Sequence, residues 1–199
     1  MIDFSQDYFA LFGLPRRFRF DGAQLDAAFR ALQRDIHPDR YASAGDAERR
    51  LALQSSARVN EAYRALKDPV SRAQYLLSLH GIDALGETDT SLAQEFLQQQ
   101  LARREAIAEA HAEGDMPKLE ALLEEARAEM TAREASLAER FDAPQELGKA
   151  REAVRELRFL TKVASDIEAA IAELEEKWRC CRSPSPTRRR CGSISSPWA

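Results

Sequence analysis

Apolar residues recur along this chain at intervals of three and four, the spacing of one helix face, and no segment alternates with the period of two that marks a strand. The segment "DYFALFGL" (7–14) reads as a short helix with Asp7 near its start and Gly13 near its end. Asp21 is the expected N-cap of the next helix. Gln24 would complete a capping box, and Phe20 and Leu25 a hydrophobic staple. Leu25, Ala28, Phe29, Leu32 and Ile36 then fall on one face, with Arg30 and Arg34 on another. Pro38 forbids continuation, so the helix should stop at Ile36 or His37 and "HPDR" (37–40) should form an exposed turn. A third helix, capped by Asp46, should run to about Lys67 with an inner stripe of Ala52, Ser55, Val59, Ala62, Tyr63 and Leu66. Asp68-Pro69 ends it, and Val70 to His80 form one more helix that stops at Gly81. The two antiparallel helices around the turn make an αα-hairpin, with Tyr8, Phe9, Phe29 and Tyr63 as a small aromatic core.

A linker follows over 82–90. Beyond it, helical stretches are expected from Ser91 to about Glu113, from Met116 to about Arg140, and from Pro144 to about Trp178. Asp115 and Asp142 are natural N-caps, and Pro117 and Pro144 fit a first helical turn. Three helices joined by short connections imply an antiparallel bundle. The expected seam of the last helix is Leu147, Ala150, Val154, Leu157, Ala164, Ile171 and Leu174. At about 100° per residue, Phe159 points away from that seam, beside Arg155, Lys162 and Asp166. In the first bundle helix Phe96, Arg103 and Ile107 share a face, and Leu97 and Leu101 lie around its flank with Arg104 and Glu105. On pattern alone such a leucine pair reads as core. The fold class is thus all-α: a helical hairpin over 1–81, a linker over 82–90, a three-helix bundle over 91–178, and a tail over 179–199.

Composition agrees with helix nearly throughout: Gly and Pro number only eight each. The 199 residues suffice for one domain or two small ones. The tail differs abruptly. It holds five Arg, five Ser, three Pro and all three cysteines (Cys180, Cys181, Cys191), but no Asp, Glu, Leu or Lys. Without it, 24 basic residues face 33 acidic ones, a net charge of −9 that argues against nucleic-acid binding. Basic arm, metal or redox site, and non-native sequence are the readings open to the tail. Its cysteine spacing fits no zinc site, and it is expected to be disordered and foreign to the fold. No apolar run reaches membrane-span length, and the start lacks the basic region of a signal peptide, so a cytoplasmic protein is expected. No metal site, cofactor loop or catalytic constellation is visible, so no enzyme activity is expected.

A surface His-Pro-Asp alone reads first as a turn, in which Pro fixes φ and Asp bonds back to the backbone. Its neighbours change that reading. The "HPD" turn, the basic-faced helix before it and "VNEAYRALKDPVSRAQYLL" (59–77) resemble a J-domain. "FLQQQLARRE" (96–105) and "LRFLTK" (157–162) are similar to the second domain of the HscB (Hsc20) co-chaperones, and "YLLSLHG" (75–81) to the segment joining that family's domains. The resemblance covers roughly residues 7–178. It implies a non-enzyme that stimulates a DnaK-type ATPase, HscA, and brings it the iron–sulfur scaffold IscU. Carried over by position, it implies chaperone contact at His37, Pro38 and Asp39. Arg30, Arg34 and Arg40 join them as a basic face suited to an acidic partner. It likewise implies scaffold contact at Leu97, Leu101, Arg104, Glu105 and Phe159, which moves the leucine pair from core to surface. Arg40 stands where the family often has lysine, and Gln98 and Ala102 where it has larger or acidic residues. A general J-protein serving unfolded clients is the alternative, although the Gly/Phe-rich linker or cysteine-rich zinc domain common in such proteins is missing from this sequence.

Overall fold

Local capping chemistry sets most of the helix boundaries. The computed structural model describes residues 3–37, 45–84, 92–143 and 146–182. Within them lie α1 (Tyr8–Leu11), α2 (Gly22–Ile36), α3 (Asp46–Lys67), α4 (Pro69–Leu79), α5 (Gln94–Glu113), α6 (Met116–Phe141) and α7 (Leu147–Arg182), and no strand among the described residues. Asp7 caps α1 through the N–H groups of Phe9 and Ala10, and Asp21 caps α2 through that of Ala23. Asp68 closes α3 and opens α4, its carboxylate accepting from Ser71 N–H at 2.7 Å. Asp115 does the same for α6 through Lys118 N–H. Gly81 (φ 73°) follows α4 and Gly114 (φ 71°) ends α5, each in the left-handed region where a side chain would be strained.

Several boundaries differ from expectation. Helix α1 ends at Leu11, short of Gly13, and α4 spans Pro69–Leu79, one residue earlier at each end than expected. Gly45, not Asp46, is the N-cap of α3. Asp46 lies in the first turn, where its charge complements the helix dipole and pairs with Arg49 at 2.6 Å. Asp142 ends α6 rather than opening α7. Helix α5 starts at Gln94, three residues later than expected, after Ala93, which offers no capping side chain. Helix α7 runs through Arg182, so the first four residues of the tail extend it: "RCCR" contains no helix breaker, and the first proline comes at Pro184. The expected start of α7 at Pro144, the linker residues 85–90 and the tail beyond Arg182 lie outside the described residues.

Helices α2 and α3 pack antiparallel. Gln33 bonds Asn60 at 2.8 Å, and Asp26 accepts from Tyr63 at 3.0 Å and Lys67 at 2.7 Å, so rising positions on one helix meet falling positions on the other. Phe29 stacks on Tyr63 (centroids 4.0 Å apart), and Tyr8 stacks on Tyr75 at 4.1 Å. In the bundle, α6 runs against α7, with Arg127–Glu168 at 3.0 Å and Arg133–Glu156 at 3.2 Å. Helix α5 crosses to both partners. Arg103 pairs with Glu129 of α6 at 2.8 Å, and His111 with Glu173 of α7 at 3.3 Å.

The hairpin core does not end at the linker. Phe9, Leu25, Val59, Leu66 and Leu77 form one buried cluster with Leu137, Ala138, Ala150, Val154 and Leu157 of the bundle. Phe18 stacks on Phe141 at 5.7 Å across this junction. Arg72 of α4 lies over Phe18 and Phe20 and donates to the carbonyls of Leu66 (2.9 Å) and Phe18 (2.7 Å). A second cluster, with Ile107, Leu119, Leu123, Ile167 and Leu174, fills the far end of the bundle.

Candidate functional site

Two surfaces hold the residues singled out in the sequence. The first is the end of the α2–α3 hairpin. His37 is exposed and caps α2 with φ −58° and ψ 128°, leaving the helical region immediately before Pro38. Arg30 and Arg34 lie exposed, one turn apart, on α2. Pro38, Asp39 and Arg40 lie outside the described residues. The basic face of α2 is anchored one turn before Arg30, at Asp26. Hydrogen bonds from Lys67 and Tyr63 hold the Asp26 carboxyl below the usual carboxylate range, and Asp26 in turn holds Lys67 above the usual lysine range. These bonds tie α2 to α3 on the hairpin's flank and fix which way the arginines face.

The second surface spans α5 and α7. Leu97, Leu101 and Phe159 are 45%, 61% and 37% exposed, while their neighbours Phe96 and Leu160 are buried. Phe159 meets the edge of Phe96 (centroids 5.7 Å apart, planes at 80°), an arrangement that the aromatic quadrupole favours. Phe96 therefore supports Phe159 from the core. It stands beside Leu97 in "FLQQQLARRE", yet the pattern gives no sign that it reaches across to α7. Gln98, Ala102, Arg104 and Glu105 are exposed along the same helix. Lys162 and Asp166 flank Phe159 and bond each other at 2.7 Å. Arg155, expected beside Phe159 on the outer face, is instead buried. Its Nε donates to the Ala84 carbonyl at 3.0 Å, because the segment after α4 covers this side of α7.

Arg72 at the junction was not singled out by the sequence reading, because a lone arginine in "VSRAQYLL" reads as a solvated face. Burial lowers its pKa, against the opposing pull of Glu134 and Asp68, while burial raises that of Glu134. Among the described residues no group of three or more His, Cys, Asp or Glu side chains gathers as a metal site would, and no helix is long and apolar enough to cross a membrane.

This architecture has known counterparts. Residues 7–75 match the DnaJ domain, and residues 92–168 match the family described as the HSCB C-terminal oligomerisation domain. The chain is 45% identical over 174 residues to a protein of Azoarcus sp. named co-chaperone protein HscB homolog, covering 87% of this chain and 98% of that relative. Chaperone HscB from Vibrio cholerae superimposes with a TM-score of 0.76 at 36% identity, over 85% of this chain and 99% of that one. Human co-chaperone protein HscB superimposes with a TM-score of 0.78 at 29% identity, over 84% of this chain and 83% of that one. With a J-domain hairpin joined through one core to a three-helix bundle, the chain belongs to the HscB family of co-chaperones.

Proposed function

We propose that this protein binds an IscU-type iron–sulfur scaffold through Leu97, Leu101 and Phe159, with Arg104 and Glu105 at the rim. It presents that scaffold to HscA, a DnaK-type chaperone, in the cytoplasm. His37, Pro38 and Asp39, flanked by Arg30, Arg34 and Arg40, engage the ATPase and stimulate hydrolysis. The hairpin of residues 1–81 and the bundle of 91–178 divide these two tasks.

The observation that carries the reading is the exposed trio on α5 and α7. An apolar centre ringed by charge has the anatomy of a binding hot spot. Two leucines and a phenylalanine that keep much of their surface in water gain less from folding than buried ones, and a partner's apolar surface would cover the rest. The basic face of α2 supports the second half of the reading, since surface cations steer an acidic partner more than they stabilise a fold.

The test is steady-state ATPase of the DnaK-type chaperone, with this protein and the scaffold added separately and together. Stimulation by this protein alone, raised further by the scaffold, is expected. Asp39→Asn should remove stimulation at unchanged circular dichroism. The triple change Leu97→Ala, Leu101→Ala, Phe159→Ala should abolish scaffold binding by calorimetry and leave direct stimulation intact. Normal stimulation by Asp39→Asn, or normal scaffold binding by the folded triple variant, would refute the corresponding half.

A further inference from the structure

The inward face of α5 contains a polar residue at the height of the exposed leucines. The buried residues of this helix are Phe96, Gln100, Ile107 and Ala110, which fall on one face. Gln100 is only 3% exposed, and its amide nitrogen has no hydrogen-bond partner. Its amide oxygen accepts from the guanidinium of Arg103 at 2.9 Å. The same guanidinium nitrogen reaches across to the Glu129 carboxylate of α6 at 2.8 Å. These groups sit where neither buried cluster extends. On α6 the distal cluster stops at Ala126 and the shared one resumes at Leu137, with Glu129 between them. On α5 the first member of either cluster is Ile107, beyond Gln100 and Arg103.

A buried amide with idle N–H groups costs stability, and a leucine of similar volume would remove that cost. What the polar group supplies is direction. At about 100° per residue, turning α5 by one residue replaces the inward set Phe96, Gln100, Ile107 by Leu97, Leu101, Ala108. Each set holds two large apolar side chains, so apolar burial separates the two rotations weakly. Arg103 separates them strongly. Its bond to Gln100 lies within α5 and would survive the turn. Its pair with Glu129 crosses to α6 and would break. The Arg103 side chain is mostly buried, so this pair is shielded from water as a surface pair is not. A polar group that costs stability and fixes one helix arrangement is the best-attested use of such groups between helices.

We infer that Gln100 and Arg103, acting through Glu129, are positioning residues that hold α5 in the rotation that keeps Leu97 and Leu101 outside, beside Phe159. This rests on the scaffold-binding reading above and names what keeps that face presented. Without the crossing pair, the leucines turn into the bundle and the buried amide turns out to water, and both changes favour folding. Phe96 leaves its place against Phe159 in the same turn, and the apolar trio is dispersed. Gln100 serves the arrangement by holding the Arg103 guanidinium on the side of α5 that meets Glu129.

The experiment removes the crossing pair and then replaces its effect by apolar means. Arg103→Ala deletes the link, and Glu129→Gln breaks it at nearly constant volume. In full-length, scaffold-free protein with labelled leucine methyl groups, relaxation by a soluble gadolinium chelate reports the exposure of Leu97 and Leu101. Both variants should lower that relaxation towards the value of the fully buried Leu119. Calorimetric titration of purified IscU-type scaffold should show affinity reduced about tenfold or more, with direct stimulation of the chaperone ATPase unchanged. Gln100→Leu added to Arg103→Ala gives the native rotation a third large apolar side chain, so it should restore both the relaxation and the affinity. Unchanged methyl relaxation in Arg103→Ala and Glu129→Gln, or a double variant no better than Arg103→Ala, overturns the positioning role. Relaxation that falls and is rescued, with scaffold affinity at the wild-type level throughout, supports the positioning and overturns the scaffold reading instead.

Discussion

Around α1–α4 the core is aromatic. Tyr8 lies on Tyr75, Phe9 against Phe20, and Phe29 on Tyr63, while arginines 58 and 72 lie over ring faces. In the distal half of the bundle the core is alanine and branched aliphatics, from Ile107 and Ala110 through Leu119 and Ala126 to Ile167 and Leu174. The difference follows from the packing each region must achieve. Helices α1–α4 differ widely in length, from 4 residues in α1 to 22 in α3, and large flat rings fill the spaces between them. Long helices lying side by side approach closely and need small residues along the seam. The difference bears on function too. Within α1–α4 the rings pack against one another, and the outward face along α2 carries Arg30 and Arg34. The aliphatic region keeps one phenylalanine outside: Phe159 falls on α7 between Leu157, in the cluster shared with the hairpin, and Ala164, in the distal cluster.

Five substitutions would break or sharpen this contrast. Leu157 is fully buried in the shared core, and Phe159, two residues on, is not. Leu157→Ala should cost about 2–5 kcal/mol, and Phe159→Ala less for its size, because Phe159 already keeps 37% of its surface in water while Leu157 keeps none. Urea denaturation of both variants measures this, and a loss at Phe159 matching that of a buried phenylalanine would place it in the core. A smaller effect is expected at the junction. Arg72→Met keeps the stem over the phenylalanine rings but strips the charge-assisted bonds to the Leu66 and Phe18 carbonyls, for about 1.5–3 kcal/mol. Because the hairpin and the near half of the bundle share one core, unfolding should remain a single transition. Two separated transitions in a calorimetric scan would show that the two regions are independent.

Smaller still is Asp68→Ala. It removes the cap of α4 and should cost about 1 kcal/mol, seen as a lower urea midpoint at unchanged slope. The smallest effect concerns Asp7. Burial pushes its carboxyl up, but the N–H groups of Ala10 and Phe9 and the guanidinium of Arg16 together outweigh burial and hold it below the usual range. A depressed folded pKa adds stability that is complete above the unfolded value and disappears as pH falls through the folded value. Asp7→Asn should therefore match the wild type closely near neutrality, since asparagine caps as well as aspartate, apart from the lost pair with Arg16. Its melting temperature should fall less steeply in acid. Parallel acid limbs in a melting-temperature profile would contradict this.

Much of the architecture was legible because it is local. Proline at 38 and 69, aspartate at 21, 68 and 115, and glycine at 81 and 114 act within one turn of themselves, so the chain alone placed most helix ends correctly. The α3 stripe from Ala52 to Leu66 needed only the 3.6-residue period. Errors arose where two local signals competed, as with Gly45 and Asp46, or where none was present, as after Trp178. The off-seam position of Phe159 followed from helical geometry. Leu97 and Leu101 did not follow so, because a leucine pair at that spacing fits a core face as well as an outer one.

Other features depended on elements far apart in sequence. Sequence alone determined which residues are helical and which face of each helix is apolar, since propensity, capping and periodicity operate over a few residues. Tertiary structure decided that Arg155 is buried under Ala84, 71 positions away, and that Phe96 supports Phe159 across two helices. It also decided that Arg72 bonds Phe18, 54 positions away, and that hairpin and bundle share a core. Each of these turns on which helix packs beside which, and at what height. The period of a single helix carries no information about that, because burial is a property of the neighbour as much as of the residue.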